Sequence, residues 1–109
     1  MDATKATIRA LNDALRRSFQ GGSVSMTAGI AAIAEDVRTV IFQRVRYFNA
    51  FDADNDPYEE HDFGAFEEHG HKVFWKIDYY TKDMSAGSEH PEDPTQTARV
   101  LTIMLAEEY

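Results

Sequence analysis

A two-residue turn between two strand-like segments constrains the fold of this chain more than any other local feature. Residues 63–68 and 71–80 flank His69-Gly70. Such a short connection suits a tight hairpin, because glycine accepts a positive φ angle. Closing the hairpin at this turn fixes which residues lie opposite one another. The predicted cross-strand pairs are Phe66 with Val73, Gly64 with Trp75, Glu67 with Lys72, and His61 with Asp78.

The alternation of side chains along this hairpin predicts two different faces. One face is apolar enough to be the core face, and it carries Phe66, Val73, Trp75, Ile77 and Tyr79. The other face is mixed, and it carries Phe63, Phe74, Lys76, Asp78 and Tyr80.

Apolar spacing places the remaining elements around the hairpin. Residues 3–20 read as an amphipathic helix ended by Gly21-Gly22, residues 23–27 as a short strand, and residues 31–50 as a second helix. Asp93 as an N-cap, with Pro94 after it, predicts a last helix that includes the apolar residues Val100, Leu101, Ile103, Met104 and Leu105. The predicted fold is therefore one α+β domain over residues 1–109. Its order is helix, strand, helix, strand, strand, helix, with a small antiparallel sheet that has the helices on one face.

Composition narrows the class of protein. With 43% hydrophobic and 12% aromatic residues, the chain is globular, because disordered acidic chains lack the aromatic side chains of a core. The absence of cysteine excludes disulfides, thiolate metal sites and a cysteine nucleophile. The N-terminal stretch has no apolar signal-peptide core, and no segment approaches the roughly 20 apolar residues that span a bilayer. We expect a cytoplasmic protein without membrane contact.

Charge is distributed unequally between the two halves of the chain. Residues 1–51 hold seven Lys/Arg against four acids, a balance of +3, whereas residues 52–109 hold four against fifteen, a balance of −11. Eight of those acids fall within residues 52–68, which we call the acidic segment. They are Asp52, Asp54, Asp56, Glu59, Glu60, Asp62, Glu67 and Glu68. So strong an asymmetry predicts a binding surface for a basic partner.

Candidate catalytic and metal motifs are incomplete. Alternating acids from Asp52 resemble the start of an EF-hand loop, but Pro57 occupies the glycine position and Phe63 the final glutamate position. The predicted His61–Asp78 pair is half of a general-base arrangement and lacks a nucleophile. The histidines at 61, 69, 71 and 90 lack a zinc-binding spacing. We therefore expect no metal and no cofactor.

The segments NDPYEEHDFGAFEEHGHKVFWKIDYY (residues 55–80) and VLTIMLAEEY (residues 100–109) resemble a family of small uncharacterised bacterial proteins, a domain of unknown function. IRALNDALR at residues 8–16 and the glycine pattern of residues 21–30 fit the same family. Its members tend to occur on plasmids and other mobile elements. The resemblance implies that setting and transfers no catalytic residue.

Together these features favour a non-enzymatic interaction protein over an enzyme. The region of residues 52–80, which joins the eight acids of the acidic segment to the hairpin, would engage a basic host or defence protein that itself binds nucleic acid. Direct binding to nucleic acid is disfavoured by the −11 balance of the second half. Two alternatives remain open. One is a small metal-dependent or His/Asp hydrolase using His61, Asp62 and Asp78, and the other is a structural homodimer. A merely soluble acidic surface would carry the same charge.

Overall fold

The computed structural model describes residues 3–109. Within this range the chain forms three α-helices, four strands and a short 3-10 turn. The helices are α1 (Ala3–Ser18), α2 (Ala28–Ala31) and α3 (Glu35–Arg46). The strands are β1 (Ser23–Met26), β2 (Phe63–Glu68), β3 (His71–Thr81) and β4 (Thr97–Leu105), and the 3-10 turn spans Ala106–Glu108.

The two long helices form where the apolar spacing predicts them, with different bounds. Helix α1 buries Ile8 and Leu15 and ends before Gly21, whose φ of 96° requires a glycine-like conformation. The predicted helix over residues 31–50 is wrong in its extent, because residues 28–46 contain two helices, α2 and α3. Helix α3 begins with Glu35 and Asp36 in its first turn, where negative charge complements the helix dipole.

The predicted last helix is wrong, because residues 97–105 form strand β4. Burial alternates along it, with Thr97, Arg99, Leu101 and Ile103 buried and the residues between them partly exposed. That period of two belongs to a strand with one core face. Asp93 closes a tight turn instead of capping a helix. Its carboxylate accepts hydrogen bonds from the backbone and hydroxyl of Thr95 and from the amide of Gln96.

The strand β4 changes the sheet from the small antiparallel one that the sequence predicts. The order is β1-β4-β3-β2, with β1 parallel to β4 and the other neighbours antiparallel. The sheet is therefore four-stranded and mixed, although the fold remains α+β. The apolar residues of this final segment satisfy helical and strand patterns alike, and burial inside a sheet decides between them.

The hairpin prediction is confirmed over residues 63–76. Phe66 lies opposite Val73 and Gly64 opposite Trp75, as the turn length requires. At the turn, His69 and Gly70 have φ angles of 51° and 81°, the positive values that a two-residue hairpin needs. The indole of Trp75 covers Gly64 so closely that any β-carbon at residue 64 would collide with it.

The core lies between the helices and one face of the sheet. Buried side chains from both layers form one cluster: Leu15, Ile30, Ile33, Ile41, Val45, Phe66, Val73, Trp75, Ile77, Leu101 and Ile103. On the opposite face Phe74 forms edge-to-face contacts with Phe63 and Tyr109, with ring centroids 5.2 and 5.7 Å apart. Since β3 is central and paired on both sides, it supplies the rigid frame on which the acidic segment is mounted.

Candidate functional site

The acidic segment divides into exposed acids and acids that bind other parts of the chain. Asp52, Asp54, Glu59 and Glu67 are exposed. Among residues 3–109, none of the ion pairs involves Asp52, Asp54 or Glu59. The predicted site residues therefore contribute unequally to the surface, and these exposed acids supply its accessible charge.

Asp56 organises the loop from inside. Its side chain is buried, with 6% exposure, and one carboxylate oxygen accepts the backbone N–H groups of Glu60 and His61, both at 3.0 Å. Asp52 acts similarly at the start of the loop, where it accepts the backbone N–H groups of Asp54 and Asn55 at 2.9 and 3.0 Å. Such side-chain bonds to nearby backbone stabilise turns. The loop is consequently folded on itself, and Asp56 is a structural residue.

His61 does not pair with Asp78, so that prediction is wrong. Its Nδ1 lies 2.9 Å from an Asp13 oxygen of helix α1, and its Nε2 lies 3.7 Å from Asp56. The ring also stacks on Phe51, with centroids 3.8 Å apart. The chain leaves the strand geometry here, since His61 has a φ of 55° and β2 starts only at Phe63.

Asp78 instead forms an ion pair with Lys76 at 2.9 Å. The hydrolase interpretation requires His61 to pair with Asp78 beside Asp62. The structure instead pairs His61 with Asp13 and Asp78 with Lys76. His61 is held by helix α1, on which the sequence analysis placed no site residue.

Arg16 connects helix α1 to the end of helix α3. Its side chain is 1% exposed, and its Nη1 donates to the backbone carbonyls of Val45, Arg46 and Phe48 at 3.0, 3.2 and 2.8 Å. A cation there satisfies carbonyls that a helix C-terminus leaves without partners and complements the helix dipole. Nη2 donates to Asp13 at 2.9 Å. Arg16 thus orients the same carboxylate that binds His61.

A second polar cluster fixes Glu60 above the sheet. Asn12 is completely buried, and its amide donates to the Glu60 carbonyl at 3.0 Å and to the Tyr79 hydroxyl at 2.8 Å. That hydroxyl donates to the Glu60 carboxylate at 2.9 Å, and the Asn12 oxygen accepts Nε of Arg99 at 2.6 Å. Burial raises the pKa of Tyr79 above its ordinary range, so it stays a neutral donor.

Asp62 is an acid whose pKa is strongly raised by its surroundings. Burial raises its pKa to about 6, and the negative charges of Glu60, Asp56 and Asp78 add to that effect. Glu68, at the far end of β2, experiences the opposite influence. A hydrogen bond from His69 and then contact with Arg44 at 3.2 Å lower its pKa. Asp56, Glu60 and Glu68 therefore bind other groups of the chain, whereas Asp62 is partly buried.

Helix α1 carries anchoring residues that the sequence analysis missed. Asn12 and Arg16 are buried beside Ile8 and Leu15, and all four fall on one helical face at spacings of three or four residues. A polar residue at a core position must have hydrogen-bond partners. The position of Asn12 and Arg16 on the apolar face of the helix was therefore the sequence signal that could have identified them as buried polar residues. Arg99 occupies the equivalent inward position in β4, and the assignment of a helix there concealed it.

An open cleft of about 350 Å³ adjoins the anchored loop. Its lining includes Arg9, Phe51, Asp52, Asp56 and His61, with no Ser, Thr or Cys among the described lining residues. Within residues 3–109, no group of three or more His, Asp or Glu side chains could hold a metal ion. The chemistry that this surface offers is carboxylate charge on a folded loop. In the described part of the chain, no helix is long and apolar enough to cross a membrane.

Comparison with known proteins identifies a family and nothing more specific. No curated protein matches the chain, and no solved structure matches it. A family model described as "Protein of unknown function (DUF3768)" matches residues 26–108. This range includes the acidic segment and strands β2 to β4, whereas helix α1 with Asn12, Asp13 and Arg16 lies outside it. The chain therefore belongs to the DUF3768 family of proteins of unknown function.

Proposed function

We propose that this chain is a non-enzymatic interaction protein that binds a basic partner through the exposed carboxylates of the acidic segment. The observation that carries the proposal is the exposure of Asp52, Asp54 and Glu59 outside the ion pairs of the described residues. Exposed carboxylates outside these ion pairs remain available to attract a cationic surface.

The anchoring of the loop supports the same function. Asp56 and Glu60 hold the loop against helix α1 and strand β3. The exposed acids are therefore held in place before a partner arrives. A preorganised surface loses less conformational entropy on binding than a flexible acidic tail would.

The setting that we infer is the cytoplasm of a bacterium, with the gene on a plasmid or another mobile element. It rests on the resemblance of residues 55–80 and 100–109 to mobile-element proteins. The partner in that setting is a host or defence protein with a cleft that binds nucleic acid. Duplex DNA presents about one negative charge every 1.7 Å along its axis, so clustered carboxylates can occupy a cleft built for phosphates.

The test is affinity capture of proteins from a bacterial lysate, followed by their identification by mass spectrometry. The captured proteins are compared between the wild type and an Asp54→Lys/Glu59→Lys variant. The control is a Glu89→Lys/Glu107→Lys variant, because these two acids are also exposed and the change in net charge is identical. We expect a basic protein to be retained at about 50 mM salt and released at about 500 mM, where exposed charges are strongly screened. The test variant should lose this protein and the control should keep it.

Two results would contradict the proposal. One is a partner retained equally by the wild type and the test variant, and the other is a partner lost equally from the test and control variants. The second result would mean that only overall charge attracts the partner. Reversal of Asp56 or Glu60 is unsuitable for this test, because both side chains hold the loop together.

A further inference from the structure

Strand β2 leaves one edge of the sheet open. The order β1-β4-β3-β2 places it at the end, and no other strand within residues 3–109 pairs with its outer side. The Ile77 N–H donates to the Asp62 carbonyl at 2.8 Å. Antiparallel ladder bonds alternate along a strand, so the backbone groups of residues 64, 66 and 68 also face β3. Those of Phe63, Ala65 and Glu67 face outward.

This edge lacks the usual protection against further pairing. Edge strands are commonly blunted by proline, lysine, a bulge or a covering element. Residues 63–68 include no proline or lysine, and they pair with β3 without interruption. The guanidinium of Arg44 hydrogen-bonds the Glu67 carbonyl and so covers one end of the edge. Ala65, at the centre, is exposed.

An apolar groove runs beside the same edge, between β2 and α3. It has a volume of about 490 Å³ and is lined in part by Val40, Tyr47, Phe48, Ala65 and Phe66. Val40 lies on helix α3 and Tyr47 directly follows its last residue, and they are 38% and 64% exposed. Exposed apolar side chains next to an open strand edge are typical of an interaction site.

The charges of the residues that line the groove indicate which kind of partner can bind there. The chain has a net charge of −8, yet the described residues that line the groove include no Asp or Glu, and Arg44 is their one charged member. A basic partner gains nothing from such a surface. A second copy of this acidic chain meets less repulsion at this groove than it would across Asp52, Asp54 and Glu59.

We propose that two copies of this chain associate through the β2 edge. The two β2 strands pair antiparallel about a two-fold axis at Ala65, and the two sheets form one continuous sheet of eight strands. In this register Ala65 lies opposite Ala65, and Phe63 of one copy lies opposite Glu67 of the other. The Glu67 carbonyl then accepts the partner's Phe63 N–H through its second lone pair, beside the bond from Arg44. The two α3 helices then lie side by side on one face, where Val40 and Tyr47 of each copy are covered.

The experiment is the molecular mass of the purified chain, measured by light scattering and sedimentation over about 1–500 µM, the range in which a micromolar dimer forms. We expect the mass to rise from 12.4 kDa toward twice that value. Each copy carries −8, so dimerisation should strengthen as salt screens this repulsion. Binding of a basic partner weakens with salt, and the two proposals therefore succeed or fail separately.

Two variants and a matched control locate the interface. Ala65→Pro removes an N–H that faces away from β3, so it blocks pairing without removing a ladder bond. Tyr47→Glu places an acid in the groove at a residue that is 64% exposed, which keeps the test valid if the proline variant does not fold. Met26→Pro is the control, because it places proline in β1, the strand at the other edge of the sheet.

We expect Ala65→Pro and Tyr47→Glu each to weaken the dimer at least about tenfold, equivalent to 1.4 kcal/mol. The control should dimerise as the wild type does. A wild type that stays at 12.4 kDa throughout would overturn the proposal. A dimer that Tyr47→Glu does not weaken would also overturn it, whatever the effect of Met26→Pro.

Discussion

Arg16 gives the sharpest test of how the acidic segment is supported. Its guanidinium donates to three backbone carbonyls at the end of helix α3 and to Asp13, which in turn binds His61 of the acidic segment. The substitution Arg16→Ala removes all of these donors at once, and the part-buried carbonyls of Arg46 and Phe48 lose their bonds to the guanidinium. It also removes contacts with the rings of Phe51 and Trp75, 5.4 and 5.1 Å from the guanidinium carbon.

The expected loss of stability follows from these contacts. Removing one member of a fully buried ion pair costs about 3–5 kcal/mol, which is an upper range here because the Asp13 side chain is 17% exposed. Asp13 retains His61 as a partner, and Nε of Arg16 is itself buried without a partner in the described residues. Both facts place the expected value near the lower limit, about 3 kcal/mol. For a domain of this length, that corresponds to a Tm lower by roughly 12–20 °C.

The assay is urea unfolding followed by the fluorescence of Trp75, which is the single tryptophan and is fully buried. Arg17→Ala is the matched control, because the neighbouring arginine is exposed, and an exposed substitution changes stability by about 0.5 kcal/mol or less. If Arg16→Ala lost no more than about 1 kcal/mol, or no more than the control, the anchoring role of Arg16 would be refuted.

Two further predictions concern the acidic segment and the strand it leads into. The raised pKa of Asp62, about 6 against its ordinary 3.8, means that ionisation opposes folding, so stability falls as pH rises through this interval. Asp62→Asn should therefore be about 1–2 kcal/mol more stable than wild type above pH 6, a value reduced for solvent screening. The two proteins should be equal below about pH 4 in urea titrations, and an equal difference at both pH values would contradict this. Gly64→Ala should cost about 1–3 kcal/mol, because its β-carbon collides with buried Trp75. Gly87→Ala, with only an ordinary 3.8 Å contact, should be near neutral by thermal unfolding, and equal effects would refute the packing argument.

The sequence was informative where a local rule determines the structure. The short turn at His69-Gly70 sets the hairpin register, and the bulk of Trp75 over Gly64 follows from that register. Helix α1 was equally predictable from the sequence, because its apolar residues repeat at helical spacing. In both cases the determining contacts lie within about 20 residues of chain.

Long-range contacts account for what could not be predicted. Residues 97–105 become a strand because β3 and β1 pair with them on both sides, and no local pattern specifies those partners. His61 pairs with Asp13, 48 residues away, instead of with a residue across the hairpin. Sequence alone identified the acids of the segment. Only the structure separates the anchoring Asp56 and Glu60 from the exposed Asp54 and Glu59.

The dissociation constant of the captured basic partner, measured against salt concentration, tests the proposed function most directly. Titration calorimetry should be run with the wild type, Asp54→Lys/Glu59→Lys and the Glu89→Lys/Glu107→Lys control. We predict that the wild type and the control lose affinity steeply between about 50 and 500 mM salt. The double reversal at Asp54 and Glu59 should bind at least about tenfold more weakly at low salt. An affinity that is independent of salt and unchanged by that reversal would contradict the account.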